Sequence, residues 1–238
     1  MPVNIDTVYQ KVLAIANKEQ RGYITPQEFN LFASQAQMDI FEQYFYDINS
    51  LTKIPNNDTE YSDILKLINE KIALFKVRAN LTYQTSSSAM GNRFVLPANL
   101  YSLGTVIYNS SVEVEPVNAN EALTYINTSL ASPTISFPVY FQNSTGIRVF
   151  PTSINANISC TYTKRPNQAK WAYVIVPSDI DEKALYDPIN SIDFELHSTE
   201  ETKLVYKILE LSGLTIKNQD LHLASDKELT QKLIQEKQ

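Results

Sequence analysis

The sequence predicts an α+β protein, with a helical body drawn from both ends of the chain and an antiparallel β-module inserted between them. Three observations predict it. Apolar residues recur at helical spacing before residue 78 and again after residue 198. Between them, β-branched and aromatic residues come in short runs broken by Pro, Asn, Ser and Gly. Helix start signals also stand at the head of most helical stretches. The predicted division is 1–85 and 184–238 for the body, and 86–183 for the inserted module.

Taken in order, "NIDTVYQKVLAIANKEQRG" carries Ile5, Val8, Tyr9, Val12, Leu13 and Ala16 on one face, with Gly22 as the stop. In "TPQEF", Thr25 is the cap, Pro26 fits the first helical position and Glu28 completes a capping box. The helix it opens bears Phe29, Phe32, Ala36, Ile40, Phe41, Tyr44, Phe45 and Ile48. After the polar break "KIPNNDT", a third helix is predicted over 60–78, with Ile64, Leu65, Ile68, Ile72 and Phe75 on one face. Strands follow at "NRFVLP", "TVIYN", "VEVEPV", "GIRVF" and "ISCTYTK". A short helix capped by Asn118 and Glu121 interrupts them. Gly146, in the turn "NSTG", stands where a hairpin loop needs positive φ. Prolines 133, 138 and 151 mark strand ends. A capping box at Ser198 and Glu201 opens a helix bearing Leu204, Val205, Ile208 and Leu209, with Gly213 as its stop. A last helix is predicted over roughly 219–236.

Composition narrows the function. A formal charge of −6 and a pI near 5.0 lack the overall basic footprint of a dedicated nucleic-acid binder. One cysteine, Cys160, excludes an internal disulfide framework, and the alternation around it predicts a buried thiol. His197 and His222 have no ligand-spaced neighbours. No apolar run is long enough to cross a bilayer, and the N-terminus has no secretory pattern, so a cytosolic origin is expected. "NKEQRGYITPQEF" imitates a calcium loop, yet Arg21 places a cation at the fifth ligand position. "SSSAMGNR" has neither the glycines nor the Lys-Ser/Thr ending of a phosphate loop. No nucleophile, acid/base pair or metal set emerges, so neither an enzyme nor a cofactor is predicted.

Two surface features remain. Lys164, Arg165, Lys170 and Trp171, in "TKRPNQAKW", form a local cluster of positive charge beside an aromatic ring. That combination fits the rim of a protein interface better than a nucleic-acid groove. Past Gly213, the apolar residues Leu214, Ile216, Leu221, Leu223, Leu229, Leu233 and Ile234 form a helix-in-groove pattern for a partner, against the alternative of folding back on their own body.

The stretches "LPANLYSLGTV", "VEVEPVNANEALTYINTS" and "PTISFPVYFQNSTGIRVFPTSINANISCTYTKRPNQAKW" resemble the β-insertion of head–tail connector proteins of tailed bacteriophages. "YITPQEFNLFASQAQMDIFEQYF" and "STEETKLVYKILELSGLTIKNQDL" resemble the same family, most closely the ring or adaptor proteins of short-tailed crAss-like phages. The resemblance implies a virion protein, assembled in the host bacterial cytoplasm, that forms a closed, dodecameric ring beneath the portal. It implies portal docking through the C-terminal residues above, and tail or ring partners reached by the β-module, with Lys164, Arg165, Lys170 and Trp171 on the tail side. DNA would pass through the channel without specific binding, and no membrane is involved. The alternative is a capsid decoration or tail-associated binding protein; oligomeric state separates the two.

Overall fold

The computed structural model describes residues 2–18, 24–52, 59–85, 91–144, 146–176, 183–216 and 227. It is an α+β protein of two compact units, Met1–Leu74 with Pro166–Gln238, and Phe75–Arg165. The inserted unit thus begins and ends earlier than the composition shift placed it. Residues 76–84 pair within the barrel described below, and residues 167–171 are held by the helical unit.

In the helical unit, α1 (Ile5–Lys18), α2 (Pro26–Thr52), α3 (Thr59–Ala73) and α5 (Glu201–Ile216) are joined by two small sheets. β1 (Pro2–Val3) pairs antiparallel with β12 (Phe194–His197), and β10 (Tyr173–Val176) with β11 (Lys183–Tyr186). The predicted capping box opens α2: Glu28 accepts from the Thr25 backbone N–H at 2.9 Å and from its hydroxyl at 2.8 Å. These bonds hold the Glu28 carboxyl below its ordinary pKa. α2 buries Phe29, Ala33, Ala36, Ile40, Phe41 and Tyr44, the spacing of one helix face. Polar residues on α2 do a second job. Asn30, Ser34 and Gln37, also at helical spacing, bond the backbone of Trp171, Ala169 and Asn167, so the returning chain lies along the helix.

Two helix ends differ from expectation. α3 stops at Ala73 rather than at the expected 78, because residues 76–80 find ladder partners in a strand. Gly213 does not end α5, which runs on to Ile216; Gly213 is buried within it.

The second unit holds β2 (Lys76–Asn80), β3 (Thr82–Gln84), β4 (Arg93–Val95), β5 (Leu100–Tyr108), β6 (Val112–Pro116), α4 (Ala119–Asn127), β7 (Val139–Asn143), β8 (Gly146–Phe150) and β9 (Ile158–Lys164). Their order is β2-β9-β5-β6-β7-β8-β4-β3. β2 and β3 are halves of one extended run parted only by Leu81, so the two ends of the sheet are the same piece of chain. The sheet therefore closes on itself as a barrel, which removes long free edges. Side-chain alternation passes through the joint unbroken. Lys76, Arg78, Asn80, Thr82 and Gln84 are exposed, while Val77, Ala79, Leu81 and Tyr83 turn inward to a core with Phe94, Val106, Val114, Ile147 and Ile158. The expectation of a purely antiparallel module is corrected at one place. α4 carries the chain across from β6 to β7, so these two strands run parallel, with Glu115 opposite Val139.

Candidate functional site

The four residues expected on the tail side are divided between the two units. Trp171 is a core residue, 3% exposed, and offers no rim. Its ring lies 4.3 Å from that of Tyr9 and stacks with Tyr173 and Tyr186. Its indole N–H donates to Asp6 at 3.0 Å, and its backbone N–H to Asn30 at 2.7 Å. An aromatic beside cations in sequence suggested a surface, but a polar handle that finds a partner lets tryptophan go inside. Lys170 is exposed and bridges by its backbone to Ile192. Lys164 and Arg165 belong to the other unit, where Lys164 ends β9 and Arg165 follows it.

Of the residues expected to meet a portal, Leu214 and Ile216 lie on the backbone of α5. Leu221, Leu223, Leu229, Leu233 and Ile234 lie outside the described residues, as does His222. His197 serves locally, its Nδ1 meeting the Thr199 hydroxyl at 2.9 Å at the turn into α5. Cys160 is fully buried, and burial pushes its thiol pKa up, the opposite of an activated thiolate. Glu28, whose carboxylate would close the calcium loop, has its Oε2 engaged twice by Thr25. Among the described residues no cluster of His, Cys, Asp and Glu could hold a metal ion, and no helix is long and apolar enough to cross a membrane.

What the fold does display is surface. In the barrel unit, the segment from α4 to β7 exposes Leu123, Leu130, Ile135 and Phe137, with Leu130 99% and Phe137 80% accessible. In the helical unit, Ile189 is 90% exposed on a turn that is tightly made. Asp187 accepts from the backbone N–H of Ile189 and from the Asn190 side chain, which keeps its carboxyl below the usual range. Val174 and Leu185, directly opposite each other on β10 and β11, are also exposed.

Charge is divided more sharply than the chain average conveys. Residues 75–165 hold six of the 20 Lys and Arg but three of the 26 Asp and Glu, so this unit carries +3 and the remainder −9. Within the barrel the division repeats. Lys76, Arg78, Arg93, Arg148, Lys164 and Arg165 sit on or directly after β2, β4, β8 and β9, which are contiguous around the wall. Glu113, Glu115 and Glu121 sit on β6 and α4. Counting Lys and Arg by unit exposes this division, but only once the unit boundaries are known.

Arg93 and Arg148 are set side by side by the register of Phe94 with Ile147. They splay apart along the wall. The Arg148 guanidinium lies against Gly91, where an added Cβ would sit 3.0 Å from Nη2, and 5.4 Å from the Phe150 ring. The Arg93 stem runs over Gly146, where an added Cβ would lie 3.6 Å from Cδ. Each arginine thus covers the glycine two residues before the other, which relieves the repulsion of like charges on neighbouring strands.

No protein-family model matches this chain, and none of the curated proteins matches it.

Proposed function

We propose that this chain is a structural virion protein, a head–tail connector that forms a closed ring at the portal, links the portal to tail components and surrounds part of the DNA path. The observation that carries the reading is the display of large apolar side chains in both units: Leu130 and Phe137 in one, Ile189 in the other. Large apolar groups held out in water mark protein contacts when they gather in patches. A closed ring needs two different surfaces on each copy, because a head-to-tail contact joins unlike patches. The helical–barrel–helical order accords with the resemblance to connector proteins, in which a helical body makes the ring and an inserted β-module reaches the next component.

The test is the mass of the purified chain, alone and mixed with its portal, read by mass photometry and negative-stain imaging. A closed multimer, or assembly on the portal, is expected. A chain that stays monomeric or trimeric in both conditions overturns the reading in favour of a decoration protein.

A further inference from the structure

We infer that the basic wall of the barrel is a contact face for the phosphate backbone of double-stranded DNA, engaged without sequence selectivity. Outward from β2 come Lys76 and Arg78, and from β4 and β8 come Arg93 and Arg148. Arg165 follows β9 and is exposed. Among the described residues none of these five makes an ion pair. Unpaired cations gathered on one wall of an acidic chain call for an external polyanion.

The lining selects which polyanion. Beside Lys76 and Arg78 the outward residues of β9 with accessible hydroxyls are Thr161 and Thr163, with Thr82 beyond on β3, while the buried Ser159 hydroxyl accepts from Arg78 at 3.0 Å. Arg, Lys and hydroxyl side chains are the groups that hold backbone phosphates in register. No exposed aromatic points outward from β2, β3, β4 or β9, so there is no platform on which the bases of a single strand would stack. Nor is there the aromatic anchor that a protein partner would use as a hot spot. The acids of β6 lie three strands from β2 and two from β8, about 14 Å and about 10 Å around the wall at strand spacing. Both exceed the screening length of ~8 Å, so they do not cancel the basic strip. Identifying the polyanion as DNA, and placing the face toward a channel, rests on the ring reading above.

The experiment is fluorescence anisotropy of a random-sequence duplex of about 24 base pairs with the full-length protein, between 25 and 200 mM salt. Five phosphate contacts at roughly 0.9 each give an expected log–log salt slope near −4.5. Lys76→Gln and Arg78→Gln are each expected to reduce that slope by about one. Lys66→Gln, on an exposed site of α3, is expected to leave it unchanged. Circular dichroism checks that the exposed-site variants stay folded. Absence of salt-dependent binding, or wild-type slopes in both barrel variants, overturns the inference. So does a Lys76→Gln/Arg78→Gln protein that binds duplex normally but no longer assembles, which would assign the wall to an acidic protein surface. Ring formation is read separately by mass. A chain that shows the slope but no ring keeps the contact face and removes the channel reading; a ring that binds no duplex does the reverse.

Discussion

Lys71 Nζ, on α3, sits 2.5 Å from Glu200 Oε1, in the turn that opens α5, and the two side chains are only 8% and 1% exposed. Lys203 of α5 approaches the other oxygen at 4.0 Å, and the Lys71 ammonium lies 5.8 Å from the centre of the Tyr44 ring. This is an ion cluster by distance rather than a set of aligned hydrogen bonds, since neither Glu200 oxygen receives a well-directed donor. It links α3 to the turn that opens α5. Lys71→Met leaves Glu200 buried with its closest cation gone, at an expected cost of about 3–5 kcal/mol in urea unfolding. Lys71→Met/Glu200→Met is expected to recover much of that loss. Simple addition of the two single costs would show that the pair is uncoupled.

Trp171 makes a second prediction about the same unit. Trp171→Ala removes a ring packed on Tyr9, Tyr173 and Tyr186, with an expected cost of about 3–5 kcal/mol. As the sole tryptophan, its fluorescence in the wild type follows unfolding of the helical unit. Any assembly defect of Trp171→Ala should therefore track lost stability. A fully stable variant with defective assembly would return Trp171 to the interface.

The start of α2 carries a pH signature. Glu28 has its pKa lowered in the folded protein by the backbone and side-chain hydrogen bonds from Thr25. A lowered folded pKa means its contribution is present above the ordinary carboxyl pKa and is lost as pH falls through the folded value. The stability gap between wild type and Glu28→Gln should thus shrink on acidification. A gap that stays constant down to acid pH would remove the capping bond from the account. Thr25→Ala, read at neutral pH by thermal melting, should cost roughly 0.5–2 kcal/mol.

In the barrel, Gly146 has φ 153°, and an added Cβ would stand 2.2 Å from the Phe94 carbonyl oxygen. Gly146→Ala must push β8 away from β4, and a loss of at least about 1–3 kcal/mol is expected. Gly91→Ala, at φ 65°, meets the movable end of Arg148 instead, so only its backbone strain remains and a smaller loss is expected. Comparable melting temperatures for wild type and Gly146→Ala would refute the close seam.

The exposed apolar residues should separate stability from assembly. Leu130→Ser and Ile189→Ser are each expected to change stability by less than about 0.5 kcal/mol. Together they should weaken multimer formation, measured by mass photometry across concentration. Unchanged assembly in the double variant would take these residues out of the interface.

Local rules were sufficient for much of this protein. The α+β class, the helices α1, α2 and α5, the Thr25–Glu28 box, the place of α4 and the buried Cys160 all follow from periods and local signals that act within a few residues. The exceptions share a cause. Helical periodicity runs on to residue 78 because Lys76–Asn80 owes its strand state to Ser159–Thr163, some eighty positions away. Gly213 looks like a stop in sequence, but a glycine's own preference is weak against the packing that buries it. Trp171 looks like a surface residue because its partners Tyr9, Asp6 and Asn30 lie more than a hundred residues upstream. The barrel closure at Leu81, the parallel pair of β6 and β7, the buried Lys71–Glu200 contact and the gathering of cations on one wall are relations between distant residues. Sequence determined which segments want to be helix or strand and which residues want to be inside. Only tertiary structure decided which strands meet, because pairing and charge placement are settled by packing between segments rather than by the preferences within them.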